Sequence, residues 1–169
     1  ANKALLAADK LSLENGAHIV TQQFLDSFLI MSGSGITFGI VFAMLFAAKS
    51  KQYKALGKVA AFPALFNVNE PVVFGFPIVM NPVMFLPFVL VPILAAFIVY
   101  GAISIGFMQP FSGVTLPWST PAIISGFMVG GWQGAVVQII ILAVSTIVYF
   151  PFFKIQDKIA YESEMKEPV

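Results

Sequence analysis

Asn67-Val68-Asn69-Glu70-Pro71 is the stretch that decides the fold, because Glu70 is the only formally charged side chain in the range 59–153. A carboxylate is costly to hold in an apolar medium unless it is paired, hydrogen-bonded or in contact with water. Pro71 has no backbone N–H and disfavours helical geometry at Glu70. The stretch therefore predicts a break in an apolar segment, where Asn69 and Glu70 offer polar groups for binding inside a membrane.

The composition predicts an integral membrane protein. Hydrophobic residues make up 59% of the chain and charged residues 10%, against about 25% charged residues in soluble domains. The mean hydropathy is +0.90. The chain has no cysteine, so neither a disulfide framework nor a thiolate metal site is predicted. A net charge of +1 without a basic patch argues against nucleic-acid binding.

The lysines predict which connections face the cytoplasm. The range 49–58 contains four lysines and no acidic residue, and the tail 154–169 contains three more. Short lysine-rich loops stay in the cytoplasm, whereas the uncharged connection 108–122 is typical of an outer loop. Three apolar blocks lie between the two lysine-rich segments, but only an even number of crossings returns the chain to the cytoplasm. The block 59–80 is the poorest continuous helix, so we predict a re-entrant hairpin there.

These observations predict an all-α polytopic membrane protein with about three transmembrane helices and a re-entrant hairpin that carries the Asn-Glu-Pro motif. The chain has no initiator Met, and we expect it to be part of a longer protein. The predicted segments, in order, are a surface helix or loop at 1–23, a transmembrane helix at 24–48, the re-entrant hairpin at 59–80, a second transmembrane helix at 82–107, an outer loop at 108–122, a third transmembrane helix at 123–153 and a cytoplasmic tail at 154–169.

Small residues inside the predicted spans leave two interpretations open. Ser32-Gly33-Ser34-Gly35-Ile36-Thr37-Phe38-Gly39 places Gly35 and Gly39 four residues apart, which favours close helix packing. The same cluster fits an unwound point whose backbone faces a cavity. Glycines at every fourth position from 126 to 134 predict a second face for close packing.

Three isolated residues each fit two roles. Asp26 is either an interfacial residue or a second polar group near the site. Trp118 is either a platform for a sugar ring or a member of the interfacial aromatic belt, and its spacing alone favours the belt. His18, the only histidine, lies beside a turn signal and fits a solvated loop residue better than a proton shuttle.

Three blocks of the sequence together resemble a known family. The range 66–82 (FNVNEPVVFGFPIVMNP) looks like the signature of the membrane permease subunits, enzyme IIC, of the bacterial sugar phosphotransferase system. The most similar branch is the lactose/cellobiose/N,N'-diacetylchitobiose type. The ranges 21–28 (TQQFLDSF) and 116–126 (LPWSTPAIISG) look like other recurring blocks of that family.

The resemblance implies a multi-pass protein of the bacterial plasma (inner) membrane, of which 1–169 is the C-terminal, substrate-binding part. It implies a homodimeric full-length permease that holds its sugar with Asn69, Glu70 and Trp118. Phosphoryl transfer is implied for a phosphorylated IIB partner, with IIA upstream, so no catalytic residue, cofactor or metal is expected in this chain. The histidine motif of the family is not found around His18, and no sugar contact is transferred to it.

The predicted function is therefore a sugar-specific permease subunit that binds and translocates a β-linked disaccharide of the cellobiose, chitobiose or lactose class for phosphorylation by IIB. One alternative is a cation-coupled secondary transporter with Glu70 as the ion or substrate site, which requires an ion gradient and no IIB. Another is a structural or assembly fragment in which Glu70 pairs with a group outside the chain. In that case Glu70→Gln would affect folding rather than sugar affinity.

Overall fold

The computed structural model describes residues 2–8, 10–76, 78, 81–111, 113 and 115–166. Within those ranges the chain forms helices and turns and no β-strand, which confirms the all-α prediction. Small parts of the predicted surface segment, hairpin, outer loop and tail lie outside the described residues, at 1, 9, 77, 79–80, 112, 114 and 167–169. The helices, in chain order, are α1 (Asn2–Ala7), a 3-10 helix (Leu13–Asn15), α2 (Gln22–Phe24), a π-helix (Leu25–Leu29), α3 (Phe38–Ala47), α4 (Lys51–Leu65), α5 (Glu70–Gly75), α6 (Pro82–Ser104) and α7 (Ile124–Lys166).

The predicted first span at 24–48 is not one helix. The π-helix ends at Leu29, and turns occupy 31–37 before α3 begins. Ser32 and Ile36 have φ angles of 60° and 50°, which L-residues avoid in a right-handed helix, so the backbone leaves the helical path there. The Gly/Ser cluster is therefore unwound. Of the described helices, α6 and α7 are long and apolar enough to cross a membrane, against about three predicted.

Side chains of α7 satisfy the backbone of this unwound segment. The Ser145 hydroxyl donates to the carbonyl of Ile36 at 2.6 Å, and the Tyr149 hydroxyl donates to the carbonyl of Gly35 at 2.7 Å. Both donors are fully buried. A Cβ at Gly39 would lie 2.7 Å from the Ser145 backbone, so α3 and α7 pack as closely as glycine allows. Irregular backbone can be buried here because its carbonyls have partners.

α4 and α5 form a pair of helices joined by the turn at 66–69, in the block where the hairpin is predicted. Gly75 of α5 packs against the Leu56 side chain of α4. The rings of Tyr53 and Phe76 have centroids 4.8 Å apart, and Phe76 stacks on Phe153 of α7 at 5.8 Å. The pair is thus held to α7 by aromatic packing. Its re-entrant position in a membrane stays a prediction.

The expectation that Pro71 keeps Glu70 out of a helix is wrong in detail. Glu70 is the first residue of α5, and Pro71 is the second. The missing N–H of a proline costs nothing in the first turn of a helix, because N–H groups there have no intrahelical partner. The proline marks the start of α5 rather than a break within it.

α7 continues through residues 153–154, where the third span is predicted to end and the tail to begin. Its backbone is broken near its start instead. Gly130 and Gly131 have non-helical backbone angles, with φ of 64° at Gly131. This bend folds the start of α7 back on itself, so that Gly134 packs against the carbonyl of Gly126. The glycines at 126, 130 and 134 therefore permit close packing, as predicted. The packing is between the two parts of one bent helix.

The end of α7 holds the start of α4 through two carboxylates, the first of which is Asp157. Asp157 is 1% exposed and accepts hydrogen bonds from the backbone N–H groups of Lys49 and Ser50, at 2.9–3.0 Å. These N–H groups precede α4 and lack helical partners. The buried charge is therefore stabilised by backbone donors more than 100 residues away in the sequence.

Glu164 is the second carboxylate at the start of α4. It accepts from the Ser50 hydroxyl at 2.7 Å and from the N–H groups of Lys51 and Gln52 at 3.0 Å. The Ser50 hydroxyl, followed by the Gln52 and Lys51 N–H groups, holds the pKa of the Glu164 carboxyl below its ordinary value. The carboxylates of α7 thus cap α4 in addition to its own N-cap residue, Ser50, whose hydroxyl accepts from the Tyr53 N–H at 3.2 Å.

Candidate functional site

Asn67 joins the turn between α4 and α5 to two other segments. The N–H of Ser32 donates to Asn67 Oδ1 at 2.6 Å. Asn67 Nδ2 donates to the carbonyls of Trp118 and Thr120 at 2.6 and 3.0 Å. The φ angle of Asn67 is 63°, a left-handed conformation that asparagine tolerates better than most residues. One amide therefore fixes the tip of the α4–α5 pair, the unwound segment at 31–37 and the loop that carries Trp118.

The Trp118 loop presents its indole outward. Thr120 closes a tight turn by donating its N–H and its hydroxyl to the carbonyl of Pro117, at 3.0 and 2.7 Å. The Trp118 side chain is 70% exposed, although its carbonyl is held by Asn67. A large ring on a fixed backbone is suited to stacking against a flat apolar face of a ligand, because little conformational freedom is lost on binding.

A small cleft that is open to solvent lies beside Trp118. Asp26 is the one formally charged residue among the described residues that line it, and its carboxylate oxygens accept from Gln22 Nε2 at 2.8 and 3.0 Å. The cleft thus combines an aromatic ring with hydroxyl, amide and carboxylate groups, which is the mixture that recognises a polyhydroxylated ligand. The lining residues are Gln23, Asp26, Ser27, Asn67, Thr115, Leu116, Pro117, Trp118, Thr120 and Ser125.

Asn69, a predicted site residue, is mostly used by the fold. It is 8% exposed, and its Nδ2 donates to the carbonyl of Ser34 at 2.8 Å and to Thr37 Oγ1 at 3.2 Å. Its side chain packs directly on Gly33, where no Cβ would fit. Asn69 does not line the cleft. Its amide nitrogen is committed to the unwound segment, which leaves Oδ1 as the atom with which it could meet a ligand.

Glu70, the second predicted site residue, is exposed at the start of α5. Among the described residues its carboxylate has no hydrogen-bond donor and no ion-pair partner. It does not line the cleft with Trp118. The structure therefore places Trp118 in the cleft, and it places Asn69 and Glu70 on the chain just after Asn67, which bonds the Trp118 loop.

Gln138 is a buried hub that supports the other side of the cleft. Its Nε2 donates to the carbonyl of Ser27 at 2.6 Å and to Ser125 Oγ at 2.9 Å. Its Oε1 accepts from the N–H groups of Ile123 and Gly126 at 2.5 and 3.0 Å. These bonds join α7 to the π-helix that carries Ser27 and to the start of α7 that carries Ser125. Ser27 and Ser125, which line the cleft, are both fixed by this one side chain.

His18 lies outside the cleft. The backbone of His18 is bonded to the Asn2 amide, with His18 N–H donating at 2.8 Å and His18 carbonyl accepting at 2.9 Å. The ring itself is exposed. In the part of the chain that the structure describes, no three His, Cys, Asp or Glu side chains converge as a metal site would require.

Comparisons with known proteins agree on one family. The family model described as "Phosphotransferase system, EIIC" matches residues 1–92. The lichenan permease IIC component of Bacillus subtilis is 44% identical over 156 residues, which cover 89% of this chain and 34% of the relative. The lactose-specific EIICB component of Staphylococcus aureus is 40% identical over 147 residues, covering 85% of this chain and 25% of the relative.

The fold is also similar to a solved structure. The transporter ChbC, the IIC component from the N,N'-diacetylchitobiose-specific phosphotransferase system, superposes with a TM-score of 0.87 at 36% identity. The match covers 98% of this chain and 40% of ChbC. The chain spans about a third of the length of the lichenan permease. With a family model matching more than half of its residues, the chain belongs to the EIIC family of the phosphotransferase system.

Proposed function

We propose that the protein to which this chain belongs is a sugar-specific permease subunit of the bacterial phosphotransferase system. It binds and translocates a β-linked disaccharide of the cellobiose, chitobiose or lactose class. The observation that carries the proposal is the outward indole of Trp118 beside a cleft of hydroxyl, amide and carboxylate groups. The names of the relatives, which refer to lichenan, lactose and N,N'-diacetylchitobiose, support the same substrate class.

In this proposal each predicted site residue has a separate role. Trp118 stacks on one sugar ring, because an exposed indole offers a large apolar face at a small entropic cost. Glu70, which is exposed and has no donor among the described residues, accepts hydrogen bonds from sugar hydroxyls, and such charge-assisted bonds are the strong ones. Asn69 contributes through Oδ1, since its Nδ2 already donates to Ser34 and Thr37.

The membrane arrangement belongs to the proposal as well. We place the protein in the bacterial plasma (inner) membrane as a multi-pass homodimer, with α6 and α7 as crossing helices and the α4–α5 pair as the re-entrant hairpin. The chain is then the C-terminal, substrate-binding part. The bonds from the hairpin tip at Asn67 to the Trp118 loop support a hairpin that reaches the sugar site.

Phosphoryl transfer is assigned to a phosphorylated IIB partner, with IIA upstream, and no catalytic residue is assigned to this chain. The name EIICB of the Staphylococcus relative supports a direct partnership, because it places IIC and IIB in one polypeptide. The cation-coupled alternative requires several oxygen ligands around the ion. Among the described residues, no three His, Cys, Asp or Glu side chains converge at Glu70 or elsewhere, so no specific observation favours a metal-ion site there.

The test is binding of labelled cellobiose to the full-length permease in detergent. Glu70→Gln removes one charge-assisted bond and should weaken binding by roughly 1.5–3 kcal/mol, or about 10- to 150-fold. Trp118→Ala should weaken binding strongly, and Trp118→Phe should recover part of the loss. Glu162→Gln, an exposed carboxylate at the far end of α7, is the charge-matched control. Unchanged binding in both site variants would refute the sugar site.

A further inference from the structure

Three lysines from two distant segments of the sequence line one pocket beside the C-terminal part of α7. Lys49 precedes α4, whereas Lys154 and Lys158 lie one turn apart on α7, and Tyr161 completes the same face. The pocket is open to solvent and has a volume of about 470 Å³. We call it the basic pocket and define it by Lys49, Lys154, Lys158 and Tyr161.

Two acidic residues, Asp157 and Glu162, also line the basic pocket. The Asp157 carboxylate accepts three hydrogen bonds from backbone N–H groups and is 1% exposed, so little of it faces the pocket. Glu162 lies 3.8 Å from Lys158, in a pair whose side chains are 56% and 78% exposed. Exposed pairs of this kind are weak. Three lysines against two carboxylates leave the lining of the pocket with a formal charge of +1, and the burial of Asp157 leaves the lysines as the more accessible charges. The pocket therefore suits an anionic ligand.

An apolar stripe leads directly into the basic pocket. Ile147 and Phe150 lie on the same face of α7 as Lys154 and Lys158, at spacings of three and four residues, and are 72% and 41% exposed. Further up the same face are Val136 and Ile140, also exposed. Lys154 Nζ lies 5.3 Å from the centroid of the Phe150 ring, at the junction between the two surfaces.

The length of the uncharged part of α7 sets the depth of this junction. Residues 132–153 carry no charge, and at 1.5 Å per residue they extend about 33 Å. The hydrocarbon core of a bilayer is roughly 30 Å thick. Lys154 is therefore the first residue of α7 that reaches the level of the lipid headgroups if residue 132 lies at the opposite side. An exposed apolar stripe that ends at lysines matches a lipid, with its acyl chain along the stripe and its headgroup at the lysines.

We propose that the basic pocket binds the phosphate group of an anionic phospholipid. The acyl chain lies along Ile147 and Phe150, the phosphate accepts hydrogen bonds from Lys154 and Lys158, and Lys49 reaches the same group from the other segment. The apolar stripe is what distinguishes a lipid from a soluble phosphate, which would need the lysines alone. The inference rests on the membrane location proposed above, but not on the sugar site.

The experiment uses the full-length permease in detergent, titrated with phosphatidylglycerol and with phosphatidylcholine of the same acyl chains, with bound lipid counted by native mass spectrometry. Each interfacial lysine near an anionic headgroup should contribute about fivefold in affinity. Lys154→Gln/Lys158→Gln should therefore lose about 30-fold for phosphatidylglycerol and little for phosphatidylcholine. Cellobiose binding by the same preparation should persist, which separates this test from that of the sugar site.

Lys54→Gln/Lys58→Gln is the matched control, since it removes the same charge from exposed positions of α4 outside the basic pocket. Equal losses in the two double variants would overturn the proposal, because a general surface charge would then explain them. Displacement of the lipid by inorganic phosphate alone would overturn it in favour of an ion site. Unchanged lipid binding with slower phosphorylation by IIB would overturn it in favour of a protein-docking face.

A single variant covers the case in which the double variant fails to fold. Lys49→Gln keeps the backbone N–H that bonds Asp157, so the capping of α4 is preserved. It should lower phosphatidylglycerol affinity about fivefold on its own. Affinity equal to that of the wild type would contradict a headgroup site at this pocket.

Discussion

Replacing Asn67 tests whether one amide holds the turn between α4 and α5, the unwound segment and the Trp118 loop together. Asn67→Gly removes three hydrogen bonds and accepts the φ angle of 63° without strain. At about 0.5–1.5 kcal/mol net for each bond, the expected loss in the free energy of unfolding is about 1.5–4.5 kcal/mol. Asn67→Ala should lose about 1–2 kcal/mol more, because alanine is strained in the left-handed region.

Asn67→Asp separates the two sides of the bridge. The carboxylate keeps an acceptor for the Ser32 N–H but turns an acceptor toward the carbonyls of Trp118 and Thr120, which lie 2.6 and 3.0 Å from Nδ2 in the wild type. Two hydrogen bonds become two repulsive contacts. We therefore expect Asn67→Asp to weaken cellobiose binding at least as much as Asn67→Gly, because the Trp118 loop is the side that is released.

The assay is denaturant unfolding of the full-length permease in detergent, followed by cellobiose titration of the folded variants. Asn15→Gly is the matched control, because Asn15 Nδ2 also donates two hydrogen bonds but at an exposed position. It should cost no more than about 1 kcal/mol. If Asn67→Gly stays within about 0.5 kcal/mol of the wild type, the bridge contributes nothing and the reasoning is refuted. Equal losses for the glycine and alanine variants would refute the backbone argument alone.

Two further predictions concern α7 and its neighbours. Gly39→Ala would place a Cβ 2.7 Å from the Ser145 backbone and should destabilise the protein by about 1–3 kcal/mol. Gly101→Ala is the control, because open space surrounds this glycine, and it should be neutral or stabilising by up to about 1 kcal/mol. Equal unfolding temperatures of the two variants would contradict the close packing of α3 on α7. Because hydrogen bonding by the Ser50 hydroxyl and the adjacent N–H groups lowers the pKa of Glu164 in the folded state, its stabilising contribution is present above the ordinary glutamate pKa and is lost as the pH falls through the lowered value. The difference in unfolding temperature between the wild type and Glu164→Gln should therefore be constant from pH 7 to about pH 5 and shrink below about pH 4.5, and a difference that persists at low pH would show that the charge of Glu164 is not responsible.

The sequence predicts the helical class well because composition alone excludes most alternatives. It also indicates the family, since the block at 66–82 is specific. The break at 31–37 is harder, because glycine and serine spaced four apart suit both close packing and unwinding. The deciding factor is the pair of hydroxyls from Ser145 and Tyr149 that satisfy the broken backbone, and no local pattern reveals those partners.

The site is only partly accessible from the sequence for the same reason. Glu70 is conspicuous because a charge in an apolar block is rare. The spacing of Trp118 alone favours the aromatic belt, and only the family resemblance indicates its role at the site. Asn67 stands beside Glu70 and carries no such signal, since its role depends on a loop 51 residues away. In the sequence, Asp157 resembles the other charged residues of the tail. In the structure it is buried, and backbone N–H groups of a segment distant in sequence donate to its carboxylate.

The capping of α4 has a mechanical consequence. Asp157 and Glu164 of α7 accept hydrogen bonds at the start of α4. Just beyond the end of α4, Asn67 donates a hydrogen bond to the Trp118 loop. A helix that is held at both ends passes a displacement of one end on to the other end instead of bending locally. A displacement of the Trp118 loop would therefore be passed through Asn67 and α4 to the C-terminal part of α7. The flexibility needed for a larger movement of this loop must come from residues outside these three connected segments.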